Sequence, residues 1–140
     1  GFRQILIVNG HGGNNPVAAL AQELMGNYAD TSIKFHNWWN APKTWAKIQE
    51  TDSSGSHANW MENFPWTRLA HAPAPAGEKP SVDMALMRAS TPTQVREILE
   101  HGSFGGLWQR DDAEMQASWE TGVAETSAEL DEPWGSTHNE

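Results

Sequence analysis

Near the start of the chain, Asn9-Gly10-His11-Gly12-Gly13-Asn14-Asn15 sets one imidazole among glycines. Small neighbours leave the ring open to a ligand, and neutral imidazole is a common ligand for zinc and related divalent metals. Glycines also let backbone amides approach a bound molecule, which makes Gly12 and Gly13 candidate substrate contacts. The spacing leaves two readings open: a metal-binding His11, or an Asn-Gly turn whose histidine bonds only to the backbone. A phosphate cradle fits poorly, because no P-loop Lys with Ser or Thr follows the glycines. A second constellation is His57-Ala58-Asn59-Trp60-Met61-Glu62. On one continuous helix its two ionisable side chains would stand about 140° apart and would not face one site. A helix that begins after His57 removes the difficulty, with the histidine on a loop and the glutamate in the first turn. Imidazole and carboxylate suit the proton transfers of amide hydrolysis, in which a metal activates water and polarises the carbonyl. A capping or solvated Glu62 is the competing reading.

Trp38, Trp39, Trp60 and Trp66 flank these polar segments in a chain with eight tryptophans. Core packing and stacking on a substrate both account for them. The remaining histidines carry less. His36 falls inside a predicted strand and reads as structural, and His71, His101 and His138 are assigned no part in a metal site. Glu120 and Glu125, on the last predicted helix, read as solvated.

Composition narrows the chemistry further. The chain has 140 residues, 38% hydrophobic and 19% charged, which suits one globular domain. Its net charge of -9, with only nine scattered Lys and Arg, argues against a nucleic-acid partner. Cysteine is absent, so any metal is held by His, Asp, Glu or water. No apolar run reaches the roughly 20 residues of a membrane span, and the opening GFRQILIVNG turns polar too soon for a signal peptide. We therefore expect a cytoplasmic protein with no membrane partner.

The elements that must position these residues read as follows. Ile5-Leu6-Ile7-Val8 predicts a strand buried on both faces, ended by Asn9-Gly10. Asn15 and Pro16 open a helix with Val17, Leu20, Ala21 and Leu24 at helical spacing, closed near Gly26. Ser32 to Trp38 reads as a second strand, giving a βαβ unit with His11 at the carboxyl end of a strand, where ligands of open α/β sheets gather. Pro42 to Gln49 predicts a short helix, and Thr51 to Asn59 a polar loop. The next helix begins late, near Asn63, or is kinked by Pro65. Residues 72–80, with Pro73, Pro75, Gly77 and Pro80, read as a loop. Thr91-Pro92-Thr93-Gln94 predicts a capping box, with Val95, Ile98 and Leu99 behind it and Gly102 as the stop. A last helix from about Asp112 to Leu130 sets Met115, Trp119, Val123, Thr126 and Leu130 on one face. Residues 1–134 are expected to belong to a single domain and residues 135–140 to a flexible tail.

The strand ending in VNGHGGN, followed after one βαβ unit by His57 and then Glu62, resembles the creatininase family, and GSFGGLWQRDDAEMQASWETGVAE resembles that family's closing region. The likeness implies an α/β three-layer sandwich, a mainly parallel sheet flanked by helices. It implies a metal-dependent amidohydrolase cleaving a non-peptide C–N bond in a cyclic amide, formamide or related small substrate with a metal-activated water. The cofactors would be two divalent ions, zinc or manganese or both. By resemblance His11 binds one metal, Glu62 binds the other, His57 handles protons and Trp39 covers the substrate.

The resemblance also carries differences. The family takes its bridging Asp and further Glu and His ligands from a segment ahead of the VNGH strand, whereas this chain opens on Gly1 and enters that strand at once. We therefore expect the C-terminal part of the family domain, completed by an upstream segment or a partner chain, and a homo-oligomer by analogy. Creatininase proper carries Glu where this chain has Gly13 and Trp where it has Ser53, which argues against creatinine as substrate. HANW and Asn63-Phe64 replace smaller family residues and predict a bulkier, more aromatic pocket wall. The alternative is a non-catalytic or incomplete creatininase-like subunit that contributes to an assembly. A carbohydrate-binding module, suggested by the tryptophans, disagrees with the helical periods.

Overall fold

The computed structural model describes residues 1–134, so the expected tail and His138 lie outside the described residues. The chain is mixed α/β and divides into two compact units. The first comprises Gly1–Trp45 with the residues from Glu120 onward, and the second comprises Ala46–Trp119. No described helix is long and apolar enough to cross a membrane.

In the first unit, β1 (Gln4–Asn9), α1 (Pro16–Asn27) and β2 (Ser32–Asn37) form the predicted βαβ unit. The strands pair in parallel from Gln4↔Ser32 to Asn9↔Asn37, which brings both carboxyl ends to the same edge. Pro16 opens α1 as expected, yet the Asn15 side chain makes no cap bond, and Gly26 lies inside the last turn. The expected burial of β1 on both faces is not met: Ile5 is 37% and Val8 50% exposed. Two strands give a helix little sheet to cover, so the β-branched run that promised an interior strand stays partly in solvent. Trp38 leaves the strand and begins a 3₁₀ turn, Trp38–Asn40, ahead of α2 (Pro42–Thr51).

The last helix, α5 (Asp112–Asp131), has the expected bounds but turns a different face inward. Met115 is buried as predicted, whereas Trp119, Val123 and Leu130 are exposed, and the other buried positions are Ser118 and Gly122. Within the first unit the reason is visible. A Cβ on Gly122 would come 3.0 Å from Trp38 Cε3, so only glycine lets the helix approach the indole. Farther along, the buried His36 ring lies 3.0 Å from Thr126 Oγ1, as a satisfied structural histidine should. Lys34 Nζ donates to the carbonyls of Glu129 (2.6 Å) and Glu132 (3.0 Å), which satisfies acceptors that the end of a helix leaves unpaired.

In the second unit, Ile48, Trp60, Met61, Phe64 and Met115 form the buried apolar centre. The helix predicted near Asn63 is absent; two 3₁₀ turns, Trp60–Glu62 and Pro65–Thr67, take its place. Pro65 cannot donate within a helix, and Phe64 before it is held extended, so the first turn closes and a second begins. The predicted loop at residues 72–80 ends in β3 (Glu78–Lys79), which pairs antiparallel with β4 (Gly106–Leu107). Strands this short carry no alternation for a sequence reading to detect. A further helix, α3 (Met84–Ala89), is capped by the Asp83 carboxylate on the amides of Ala85 and Leu86. In α4 (Pro92–Leu99) the Thr91–Gln94 capping box forms as predicted.

Candidate functional site

The glycine loop of the first unit is organised by carboxamides. Asn9, at the end of β1 and buried, donates from Nδ2 to the His11 carbonyl (2.9 Å) and to Asn37 Oδ1 at the end of β2 (2.6 Å). Its Oδ1 accepts from the His11 amide (3.2 Å) and from Asn14 Nδ2 (3.1 Å), while Asn37 Nδ2 donates to Asn15 Oδ1 (3.2 Å). One buried side chain thus joins the carboxyl ends of both parallel strands to the loop. In the sequence Asn9 reads only as a strand end; its register partner Asn37, at the end of the second strand, is the available signal.

His11 stands in extended backbone just before the 3₁₀ turn Gly12–Asn14 and is exposed. Its imidazole folds back over Gly13: a Cβ there would lie 2.6 Å from His11 Nε2. Trp39 stands beside the same loop, with Cζ2 3.8 Å from where a Cβ on Gly12 would be. The Trp39 indole Nε1 is buried and has no hydrogen-bond partner among the described residues. His11, Gly12, Gly13 and Trp39 are therefore brought together within this unit.

His57 and Glu62 are brought together within the second unit. Asn59 accepts from the Met61 amide and caps the turn that ends in Glu62, so His57 precedes the turn and Glu62 lies inside it. Glu62 Oε1 accepts from the Ala58 amide at 3.0 Å and lies 3.6 Å from His57 Nδ1, ion-pair rather than hydrogen-bond distance. Ala58 is held at φ 53, in the left-handed region. Phe104 steadies the histidine from the other side: its amide donates to the His57 carbonyl (3.1 Å), and its ring packs 4.8 Å from the imidazole.

Two supports escaped the sequence reading. Buried Asn59 donates to the carbonyls of Ser54 (2.6 Å) and Gly105 (2.8 Å) and to Ser56 Oγ (3.1 Å), fastening the loop that carries His57 to β4's approach. An Asn just ahead of a turn is a capping signal, though the distant carbonyl is invisible in sequence. Asp52 accepts from the Ser54 amide (2.8 Å) and from Arg110 (3.2 Å), and Arg110 also forks onto Glu114 at 2.7 and 2.9 Å. Burial pushes the Asp52 pKa up, but the Ser54 bonds and the Arg110 charge outweigh it and hold the carboxyl below its ordinary value. Glu114 is held low chiefly by its hydrogen bond from Arg110. The predicted aromatic wall is not where the sequence suggested. Trp60 is fully buried, and Phe64 is buried against Trp66 (5.1 Å, stacked) and Trp119 (5.6 Å, edge-on).

Among the described residues no three His, Asp or Glu side chains form a metal-binding group. A zinc ion takes about four ligands, three of them from protein in a catalytic site. The described residues therefore do not by themselves fit the dinuclear centre that the resemblance implies.

A family model described as creatininase, creatinine amidohydrolase, matches residues 1–138. No curated protein and no solved structure matches the chain.

Proposed function

The chain belongs to the creatininase family, and from that premise we propose that it serves metal-dependent hydrolysis of a non-peptide C–N bond in a cyclic amide, formamide or related small substrate. The observation that carries this reading is the family match across residues 1–138. In it, His11 and Glu62 each supply one ligand to a pair of divalent ions, zinc or manganese. The remaining ligands come from an upstream segment or a partner chain, because two donors fall short of a coordination shell. The whole assembly is then a three-layer sandwich, and by analogy a homo-oligomer.

Within this chain the chemistry falls to three groups. His57 gives a proton to the departing nitrogen, with Glu62 Oε1 3.6 Å from its Nδ1. Trp39 covers the substrate, and the small residues Gly12 and Gly13 let backbone amides reach it. Gly13 in place of a glutamate and Ser53 in place of a tryptophan favour a substrate other than creatinine.

The second reading, a non-catalytic subunit, draws on the lack of a metal-binding group among the described residues. One experiment separates the two. Purified protein, with the His11→Ala and Glu62→Gln variants alongside, is assayed for bound metal and for hydrolysis of cyclic ureas, lactams and formamides with added zinc or manganese. Metal-dependent turnover that both variants lose supports the hydrolase. Unchanged metal content in the variants overturns the ligand assignment, and no turnover of any substrate by the metal-loaded protein favours the non-catalytic subunit.

A further inference from the structure

Beside Glu62 the second unit holds an open cleft of about 410 Å³, lined among others by Glu62, Asn63, Thr67, Pro73, Pro75 and Trp108. That volume is in the range of small-ligand sites, about 300–1,000 Å³. Most of its polar side chains are already committed. Asn63 Nδ2 donates to the Trp108 carbonyl (2.8 Å), and Asn63 Oδ1 accepts from Arg68 Nε (3.2 Å). The Thr67 hydroxyl donates to the Phe64 carbonyl (2.9 Å), and the carboxamide of Asn59, also in the lining, is spent on the loop. No Lys, Arg or His lines the cleft. Away from Glu62, its side chains therefore have little to offer a charged substituent.

The walls of the cleft are held in place. Proline fixes its own φ, so the segment through Pro73 and Pro75 enters binding with little freedom to lose. Its near end is tied by the Leu69↔Ala72 bridge. Its far end is tied by the β3–β4 pairing and by Lys79 Nζ donating to the carbonyls of Leu99 (2.6 Å) and Ser103 (2.9 Å). We infer that this proline- and tryptophan-walled cleft is a specificity subsite that takes an uncharged planar ring, aryl or heteroaryl, carried by the substrate whose amide is presented to Glu62 and His57. The inference rests on the amidohydrolase reading and narrows its substrate class to ring-bearing amides.

The test measures binding by ligand-observed NMR, without turnover, using 2-pyrrolidinone, its 4-phenyl derivative and its 4-carboxymethyl derivative. The phenyl compound is expected to bind about fivefold tighter than the parent, the gain typical of one ring stacking, and the carboxymethyl compound no tighter than the parent. Trp108→Leu, and independently Ala72→Phe, which fills the cleft from its exposed rim, should bring the phenyl-to-parent ratio to within about twofold. A phenyl compound that binds no tighter than the parent, or a ratio that survives both substitutions, overturns the subsite. The two readings fail separately. Turnover of small amides without ring preference sinks the subsite alone. Trp108-dependent ring binding without turnover of any amide sinks the hydrolase alone.

Discussion

Replacing Glu125 with alanine should be among the most costly single changes outside the apolar core, although the sequence presents this residue as an ordinary solvated glutamate. Its carboxylate reaches the start of α2 and accepts from the Lys43 amide (2.9 Å), the Thr44 amide (2.7 Å) and the Thr44 hydroxyl (2.8 Å). It thus does for α2 what an N-cap side chain ordinarily does from within the helix, and losing such a cap costs about 1 kcal/mol. Thr44 is 0% exposed, so its hydroxyl and amide lose a partner that water cannot replace, adding about 1–3 kcal/mol. The expected loss for Glu125→Ala is about 2–4 kcal/mol, and for Glu125→Gln, which keeps one acceptor oxygen, about 1–2 kcal/mol. The pH dependence has a definite sign. Burial raises the Glu125 pKa, but the bonds from Lys43 and Thr44 outweigh burial and set it below the ordinary glutamate value. The stabilisation is then complete above the unfolded-state pKa of about 4.3 and is lost as pH falls through the lower folded value. Urea titrations followed by circular dichroism at neutral pH and at steps down through the acid range would measure both effects. An alanine variant within about 0.5 kcal/mol of the parent at neutral pH would refute the cap, since ordinary surface changes stay inside that margin. So would a deficit that grows as the carboxylate is protonated.

Three further outcomes can be checked. Gly13→Ala should displace the His11 ring, which a Cβ would meet at 2.6 Å; the shift reads out in the His11 imidazole resonances, with thermal stability changed by less than about 1 kcal/mol because the loop is exposed. Asn9→Ala should cost about 2–3 kcal/mol in denaturant titrations and loosen the Gly12–Asn14 turn in hydrogen exchange, since a buried four-bond hub disappears. Gly106→Ala should cost more than about 2 kcal/mol, because φ 92 disfavours any side chain and a Cβ would come 2.8 Å from Ser54 Oγ and 2.9 Å from Asn59 Nδ2. A melting temperature equal to the parent's would count against that reading.

What the sequence made legible was local. The β-branched run, the Asn-Pro helix start and the second strand specify a βαβ unit because each signal acts within a few residues of itself. The Thr91 capping box was readable for the same reason. The inward face of α5 was not: Ser118, Gly122 and Glu125 score as surface residues by composition, and Gly122 and Glu125 are turned inward only by Trp38 and the start of α2, both far off in sequence. The site divides the same way. His11, His57 and Glu62 stand out by type and spacing, and the structure sets His57 beside Glu62. Their supports, Asn9, Asn59 and Phe104, act through partners up to dozens of residues away, and beyond the capping signal of Asn59 nothing in their immediate neighbours announces the role.

The dependence of the glycine loop on Asn9 also governs how the protein ages. Asn9 is followed by Gly10, the pairing in which the next backbone nitrogen most readily attacks the side-chain carbonyl carbon, expelling ammonia to give a succinimide that water opens to aspartate or isoaspartate. While Nδ2 is held by the His11 carbonyl and Asn37 Oδ1, the amide is kept from the geometry that attack requires. If the bonds open and the conversion occurs, a negative oxygen faces two acceptors where a donor had been, and the reversal cannot be undone by refolding. The loop that carries His11 is therefore a place where long storage would leave a permanent chemical record, one mass unit heavier and one charge more acidic.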